Sequence, residues 1–121
     1  MPDARSGNCN GRTQGGSNAE IVIADAFVKG LPNIDYHLAL EAMLKDATIP
    51  GGNEEAEGRG GLIPYLELGY IPYGIPRAGN RTIEYSYCDY AIALVAKGLG
   101  KTDLYQQYLK QSSNWKNLWR A

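Results

Sequence analysis

Residues 81–100, RTIEYSYCDYAIALVAKGLG, constrain the fold more than any other stretch of this sequence. At about 100° per residue they predict one helix that is apolar around most of its circumference, with a narrow polar strip at Ser86 and Lys97. Such a helix must be enclosed by other elements, because a surface helix has one apolar stripe and one polar face. It also carries Glu84 and Asp89, and charges seldom enter an apolar setting without a partner or a task.

Two helices are predicted in the first half of the chain. Residues 18–29 predict a second buried helix, since their apolar side chains again go nearly all round, and Ser17 or Asn18 is the predicted cap. Residues 36–47, preceded by Asp35 as N-cap, carry one apolar stripe with charges on the opposite side. This second helix is therefore predicted to be peripheral.

In the second half, residues 62–68 predict a short helical turn, and prolines in the segment that follows forbid a continuous helix. Thr102 or Asp103 is predicted to cap a last, amphipathic helix. Buried and amphipathic helices thus alternate, which is typical of two concentric layers. The sequence predicts an all-α fold, part of an (α/α) toroid with alternating inner and outer helices. A helical-repeat solenoid is the alternative, but no self-similarity at about 34 to 47 residues is visible.

The composition argues against several classes of function. The 121 residues are 44% hydrophobic with a net charge of -1, so neither a disordered chain nor a nucleic-acid-binding protein is indicated. No apolar run approaches the roughly 20 residues of a membrane span, and no apolar signal core is visible at the start. We expect a soluble chain with no visible targeting signal.

No metal site is predicted from the residues themselves. Cys9 and Cys88 lack the spacing of zinc ligands, and Cys88 is expected to act as a small buried hydrophobe. His37 is expected at the solvent edge of its helix. The acidic loop, residues 48–61, lacks the spacing of an EF-hand and is expected to be solvated.

Four segments of the sequence resemble segments of a known family. NGRTQGGSNAEIVIADAFVKG, EGRGGL, LGYIP and RTIEYSYCDYAIALVAKGLGKTDLYQQYLKQSSNWKNLW occur in this order. They resemble the catalytic domain of glycoside hydrolase family 92, the calcium-dependent α-mannosidases, in a form similar to fungal members. The resemblance covers nearly the whole chain, so residues 1–121 are identified as an internal part of that domain, with residues 1–17 as a lead-in loop.

The resemblance implies an inverting exo-α-mannosidase that removes terminal α-linked mannose from N-glycans. Inversion needs a carboxylic acid and a carboxylate base about 6.5 to 9.5 Å apart. The family's acid, base and calcium-binding segments are not found here, so no catalytic residue is assigned, and the chain alone is expected to be inactive. The implied cofactor is Ca²⁺, with ligands outside this chain. The implied partners are a mannose-containing glycan and the remainder of the same catalytic domain. Secretion follows the family tendency, and a cytosolic location is the alternative.

Three polar side chains are predicted as candidates for the substrate pocket: Asn18, Glu84 and Asp89. Glu84 and Asp89 lie about 140° apart on the helical wheel, so they cannot jointly face one sugar without other elements. The alternative for Glu84 is an ion pair with Arg81 at i,i+3 or with a neighbouring helix end. The residues before Asn18 form either a pocket-lining loop or a plain helix entry, since they lack the GK[ST] ending of a phosphate loop.

Two further features are left open by the sequence. NWKNLWRA carries both tryptophans, and large aromatics at the end of the sequence are expected to lack part of the surface they pack on. A small helical scaffold that binds a peptide or protein through them is the alternative function. Asn80-Arg81-Thr82 is an N-glycosylation sequon, either used after secretion or present by chance.

Overall fold

The computed structural model describes residues 18–53 and 57–119. Within these ranges there are five α-helices and no strand, so the predicted all-α fold is confirmed there. The lead-in loop and Cys9 lie outside the described residues. The helices are α1 (Ala19–Val28), α2 (Tyr36–Thr48), α3 (Leu62–Leu68), α4 (Ala78–Gly98) and α5 (Thr102–Gln111), followed by a 3₁₀ turn (Asn114–Leu118).

Helix α4 is the central element, as predicted, and packs against α1, α2, α5 and the 3₁₀ turn. It begins at Ala78, three residues before the predicted start. Arg77, directly after Pro76, adopts a left-handed backbone (φ 61°) and turns the chain into the helix. Arginine rarely adopts a left-handed backbone conformation, because its Cβ is crowded in that conformation. No sequence pattern therefore predicts that α4 starts at this position.

The predicted polar strip of α4 is wrong at Ser86, which is buried. Its hydroxyl donates to the Thr82 carbonyl oxygen at 2.8 Å, so the polar group is satisfied within the helix and the side chain can be enclosed. Lys97 is exposed as predicted. The side of α4 that remains open carries Ile83 and Tyr87, which are 55% and 54% exposed.

Helix α1 is less enclosed than predicted. Only Glu20 and Ala24 are buried on it, while Val22 and Val28 are 67% and 68% exposed. Among the described helices α1 packs mainly on α4 and α2, and its outer apolar side chains Val22 and Val28 stay exposed. Asn18, one of the two predicted caps, occupies the N-cap position, but its side chain makes no capping hydrogen bond.

Helix α2 follows the prediction closely. The Asp35 carboxylate accepts from the Leu38 backbone N–H at 3.0 Å and caps the helix. One stripe of α2 is buried against the core and the other side is exposed, which confirms the peripheral position. His37 is exposed.

Helix α5 begins at Thr102, one or two residues earlier than predicted. Lys101 occupies the N-cap position without a side-chain hydrogen bond, so the prediction that Thr102 or Asp103 caps the helix is wrong. Tyr108 is its buried anchor. Gln106 and Lys110 are exposed, so the helix is amphipathic as predicted.

The buried apolar side chains form two clusters. The larger one surrounds the alanine-rich middle of α4 and includes Ala24, Met43, Ile92 and Tyr108. The helices approach closely here, since a Cβ on Gly98 would collide with the Phe27 ring. The smaller cluster joins α3 to the first half of α4 and consists of Leu62, Tyr65, Ile71 and Tyr85. None of the described helices has the length and hydropathy needed to cross a membrane.

Candidate functional site

The smaller cluster encloses a set of charged side chains around Arg59. Arg59 lies in the loop before α3 and is almost completely buried. Its Nη1 donates to Asp89 Oδ1 on α4 at 2.7 Å, and its Nη2 lies 3.6 Å from Glu20 Oε1 on α1. A guanidinium is well suited to this position, because it holds its charge and donates in a fixed plane. One loop side chain thus joins two helices.

Tyr65 of α3 completes the set by donating its hydroxyl to Asp89 Oδ2 at 2.7 Å. Both carboxylate oxygens of Asp89 therefore accept a short hydrogen bond, one of them from a cation. Short bonds to a charged acceptor are among the strong ones. We call Glu20, Arg59, Tyr65 and Asp89 the ion network.

Tyr85 forms the floor beneath Arg59, whose Cζ lies 5.2 Å from the ring centroid. The Tyr85 hydroxyl donates to the Gly60 carbonyl oxygen at 3.0 Å, and its ring meets the Tyr65 ring edge to face at 5.5 Å. The loop backbone at residues 59–60 is therefore held by a side chain of α4.

A second buried guanidinium, that of Arg81, lies against Gly60. A Cβ at Gly60 would collide with this guanidinium, so a larger residue here requires Arg81 to move. Arg81 Nη1 donates to the Pro76 carbonyl oxygen at 3.3 Å, while its Nε and Nη2 find no hydrogen-bond partner among the described residues.

The protonation states within the ion network follow from burial and charge. Burial opposes the charged form of Arg59, but the carboxylates of Asp89 and Glu20 outweigh it and raise the pKa of Arg59. Burial, together with the negative charge of Asp89, raises the pKa of Tyr65 well above its usual range. Burial also raises the pKa of the Cys88 thiol, which is consistent with the predicted role of a small hydrophobe.

Of the predicted pocket residues, only Asp89 belongs to the ion network. Glu84 lies one turn earlier on α4, half-buried, and no ion pair or hydrogen bond joins it to Asp89 or to Arg81. The expected Glu84–Arg81 pair is thus wrong within the described residues. Asn18 precedes α1, and its buried Oδ1 has no hydrogen-bond partner in the described part of the chain. The pocket role of the three residues stays a prediction.

The sequence predicted no role for Arg59, Tyr65 or Glu20. Two features of the sequence point to Glu20 and to Arg59. Glu20 is an acid inside an otherwise apolar helical segment, and Arg59 stands between glycines in EGRGGL, where a long side chain has room to turn inward. Neither signal names a partner, because Arg59 and Asp89 are 30 positions apart.

The opposite side of α4 forms an apolar groove of about 350 Å³. We call Ile83, Tyr87, Tyr90 and Trp115 the open face, since these large side chains line the groove and are 42% to 55% exposed. Trp119 is exposed as well. The expectation that the tryptophans lack part of their packing surface agrees with this exposure.

The side chains that the structure describes do not fit a calcium ion. Within residues 18–53 and 57–119 no three acidic, histidine or cysteine side chains converge on one point. The two fully buried carboxylates, Glu20 and Asp89, both lie against the cationic Arg59. A hard dication needs several free oxygen ligands, so we derive no calcium step from these residues.

Comparison with known proteins gives the family. The model described as the glycosyl hydrolase family 92 catalytic domain matches residues 1–121. The chain belongs to glycosyl hydrolase family 92. The resemblance carried by the sequence motifs is therefore confirmed.

Relatives of this family 92 chain extend the comparison. It is 46% identical over 131 aligned residues to an uncharacterized secreted glycosidase of the fungus Arthroderma benhamiae, a match that covers 100% of the chain and 17% of that protein. The family GH92 inverting mannosidase of Bacteroides thetaiotaomicron is 35% identical, with a TM-score of 0.84 over 97% of the chain and 16% of the mannosidase. These likenesses are consistent with a region of an α/α toroid.

A second solved relative carries a ligand. It is a family GH92 α-mannosidase of Bacteroides thetaiotaomicron in complex with mannoimidazole, 35% identical, with a TM-score of 0.71 over 81% of the chain and 12% of that enzyme. The family 92 chain thus spans less than a fifth of the length of each of these relatives.

Proposed function

We propose that this chain is part of the catalytic domain of an inverting exo-α-mannosidase that acts on terminal α-linked mannose of N-glycans. The observation that carries the proposal is the likeness to an inverting mannosidase over 97% of the chain at 35% identity. The mannoimidazole complex of a second relative supports a mannose-containing substrate. The secreted fungal relative supports a secreted enzyme.

The chain's own carboxylates support a scaffolding role in that domain. An inverting glycosidase needs one carboxylic acid that gives up a proton and one carboxylate that activates water, with space for the water between them. Asp89 is fully buried, and both of its oxygens already accept hydrogen bonds. Glu20 lies beside the same guanidinium. Neither has room for a water and a sugar, so the acid, the base and any Ca²⁺ ligands belong to the remainder of the domain in this proposal.

Glu84 is the carboxylate to test, because it is half-buried and has no ion-pair partner among the described residues. Residues 1–121 are expressed and assayed on an α-1,2-mannobioside with calcium, and we expect no turnover. Clear turnover that Glu84→Gln abolishes would overturn the proposal and make Glu84 catalytic. Asp103→Asn, an exposed carboxylate on α5, is the matched control.

A scaffold that binds a peptide or protein is the second candidate function, and the open face favours it. It predicts a stable monomer with cooperative melting and no response to calcium or mannose. A product that aggregates or melts without cooperativity would instead favour the domain proposal, since the exposed apolar sides of α1 and α4 then lack their neighbours.

A further inference from the structure

We propose that Asn80 carries an N-linked glycan and that it is modified before α4 folds. Asn80-Arg81-Thr82 is the only Asn-X-Ser/Thr sequence in the 121 residues. The inference uses the proposed secretion of the protein, but no part of the mannosidase proposal.

The folded chain has room for a glycan at this position. Asn80 is exposed and lies in the first turn of α4. The neighbouring Gly79 is exposed too, and a Cβ placed on it would meet no atom within 4 Å. Across the preceding turn, Gly74 is equally open and Tyr73 is fully exposed. A glycan is bulky and solubilising and needs such a surface corner.

The third residue of the sequon is, in contrast, completely inaccessible. Thr82 is buried, and its hydroxyl accepts from the Ile71 backbone N–H at 2.9 Å while donating to the Ala78 carbonyl oxygen at 2.8 Å. Arg81 between them is buried as well. A transferase that must contact the threonine hydroxyl therefore has access only while the segment is unfolded.

The transfer itself needs a lipid-linked oligosaccharide pyrophosphate as donor. The Asn80 carboxamide nitrogen forms a bond to the anomeric carbon of the first sugar, the bond from that carbon to the pyrophosphate oxygen breaks, and the amide loses one proton. The lipid pyrophosphate is the leaving group. After transfer, Thr82 turns inward and the glycan stays outside.

The test is the mass of the chain that a eukaryotic host makes behind a cleavable leader, recovered from the cells and the medium together. We expect one added glycan that an N-glycosidase removes. Asn80→Gln removes it while keeping Thr82 and its two hydrogen bonds. Thr82→Ser preserves both the sequon and the hydroxyl, so it should keep the glycan, whereas Thr82→Val should lose it. Because transfer precedes folding, this readout does not require a native product.

A secreted chain of unmodified mass would overturn the proposal, as would a glycan that persists in Asn80→Gln. The order of events is tested with purified transferase and donor. The folded unmodified protein should be a far poorer acceptor than a peptide of residues 76–86. Equal modification of the two would contradict the proposal that folding closes the site. Mannosidase activity enters neither measurement, so a failure here is distinct from a failure of the proposed function.

Discussion

The two sides of α4 carry similar residues but differ in their surroundings. One side places Tyr85 and Asp89 among partners from α1, α3 and the loop before α3, so that its polar groups are paired and almost no water reaches them. The other side presents Ile83, Tyr87 and Tyr90 to a groove that is also lined by the end of α5 and by Trp115 of the 3₁₀ turn. Hydrophobicity alone does not distinguish the two sides. What distinguishes them is whether the described residues supply a partner.

The largest expected effect is on the side with the ion network. Replacing Arg59 with Met leaves the buried Asp89 carboxylate without its cation, so we expect the free energy of unfolding to fall by about 3–5 kcal/mol. Urea denaturation followed by circular dichroism measures this change.

The matched control for Arg59 is Lys29→Met, which breaks the exposed 2.7 Å pair with Asp25. It should change stability by about 0–1 kcal/mol. Equal losses in the two variants would show that burial of the ion network adds nothing. If Arg59→Met does not fold, Arg59→Lys gives the comparison, since it keeps the charge but loses the planar fork.

A pair of isoleucines on α4 compares the two sides directly. Ile92 is fully buried, and Ile92→Ala should cost about 2–5 kcal/mol, because it removes apolar contacts and leaves a cavity. Ile83 lies on the open face, and Ile83→Ala should change stability by about 0.5 kcal/mol or less. The same urea titration tests both. A large loss in Ile83→Ala would mean that the open face is covered in solution.

Two tyrosine substitutions compare a hydrogen bond to a carboxylate with a hydrogen bond to a backbone carbonyl. Tyr65→Phe removes a hydrogen bond to the Asp89 carboxylate and should cost about 1.5–3 kcal/mol, whereas Tyr85→Phe removes one to a carbonyl and should cost about 0.5–1.5 kcal/mol. Thermal or urea unfolding gives both values. The reverse order would contradict the inference that Asp89 is the stronger hydrogen-bond acceptor of the two.

Alkaline pH should weaken the fold through its buried phenols. Burial, together with the charge of Asp89, raises the pKa of Tyr108 to about 12 from 10.0. A raised pKa means that the folded state keeps its proton longer, so this contribution is complete below pH 10 and is lost as the pH rises toward 12. Stability measured across this range should fall less steeply in Tyr108→Phe. An unchanged slope would contradict the assignment.

Among the local features, the sequence predicted the Asp35 cap of α2 correctly and the cap of α5 incorrectly. The Asp35 cap depends on residues within a few positions of each other, and the structure confirms it. The early start of α4 was missed, because Arg77 takes a backbone conformation that arginine rarely adopts.

Tertiary features were predicted only in part. Asp89 was correctly singled out as a charge that needs a reason, but its partner Arg59 lies in a loop with no periodic pattern. Ser86 was placed in water because hydroxyls are polar, and the structure buries it because the helix itself satisfies the hydroxyl. The burial of α1 was overestimated. Hydrophobic periodicity predicts which face of a helix should be buried, but it does not show whether another element covers that face.

The position of Arg59 has a consequence for the order of folding. The members of the ion network come from the loop before α3 and from three helices, and the bonds from Arg59 to Asp89 and from Tyr65 to Asp89 close loops of 30 and 24 residues. Such contacts stabilise the chain only after the entropy of loop closure has been lost. A partly formed network would also leave a buried charge without its partner. We therefore expect the ion network to form late in folding, after the helices and only when α1, α3 and α4 lie in their native arrangement.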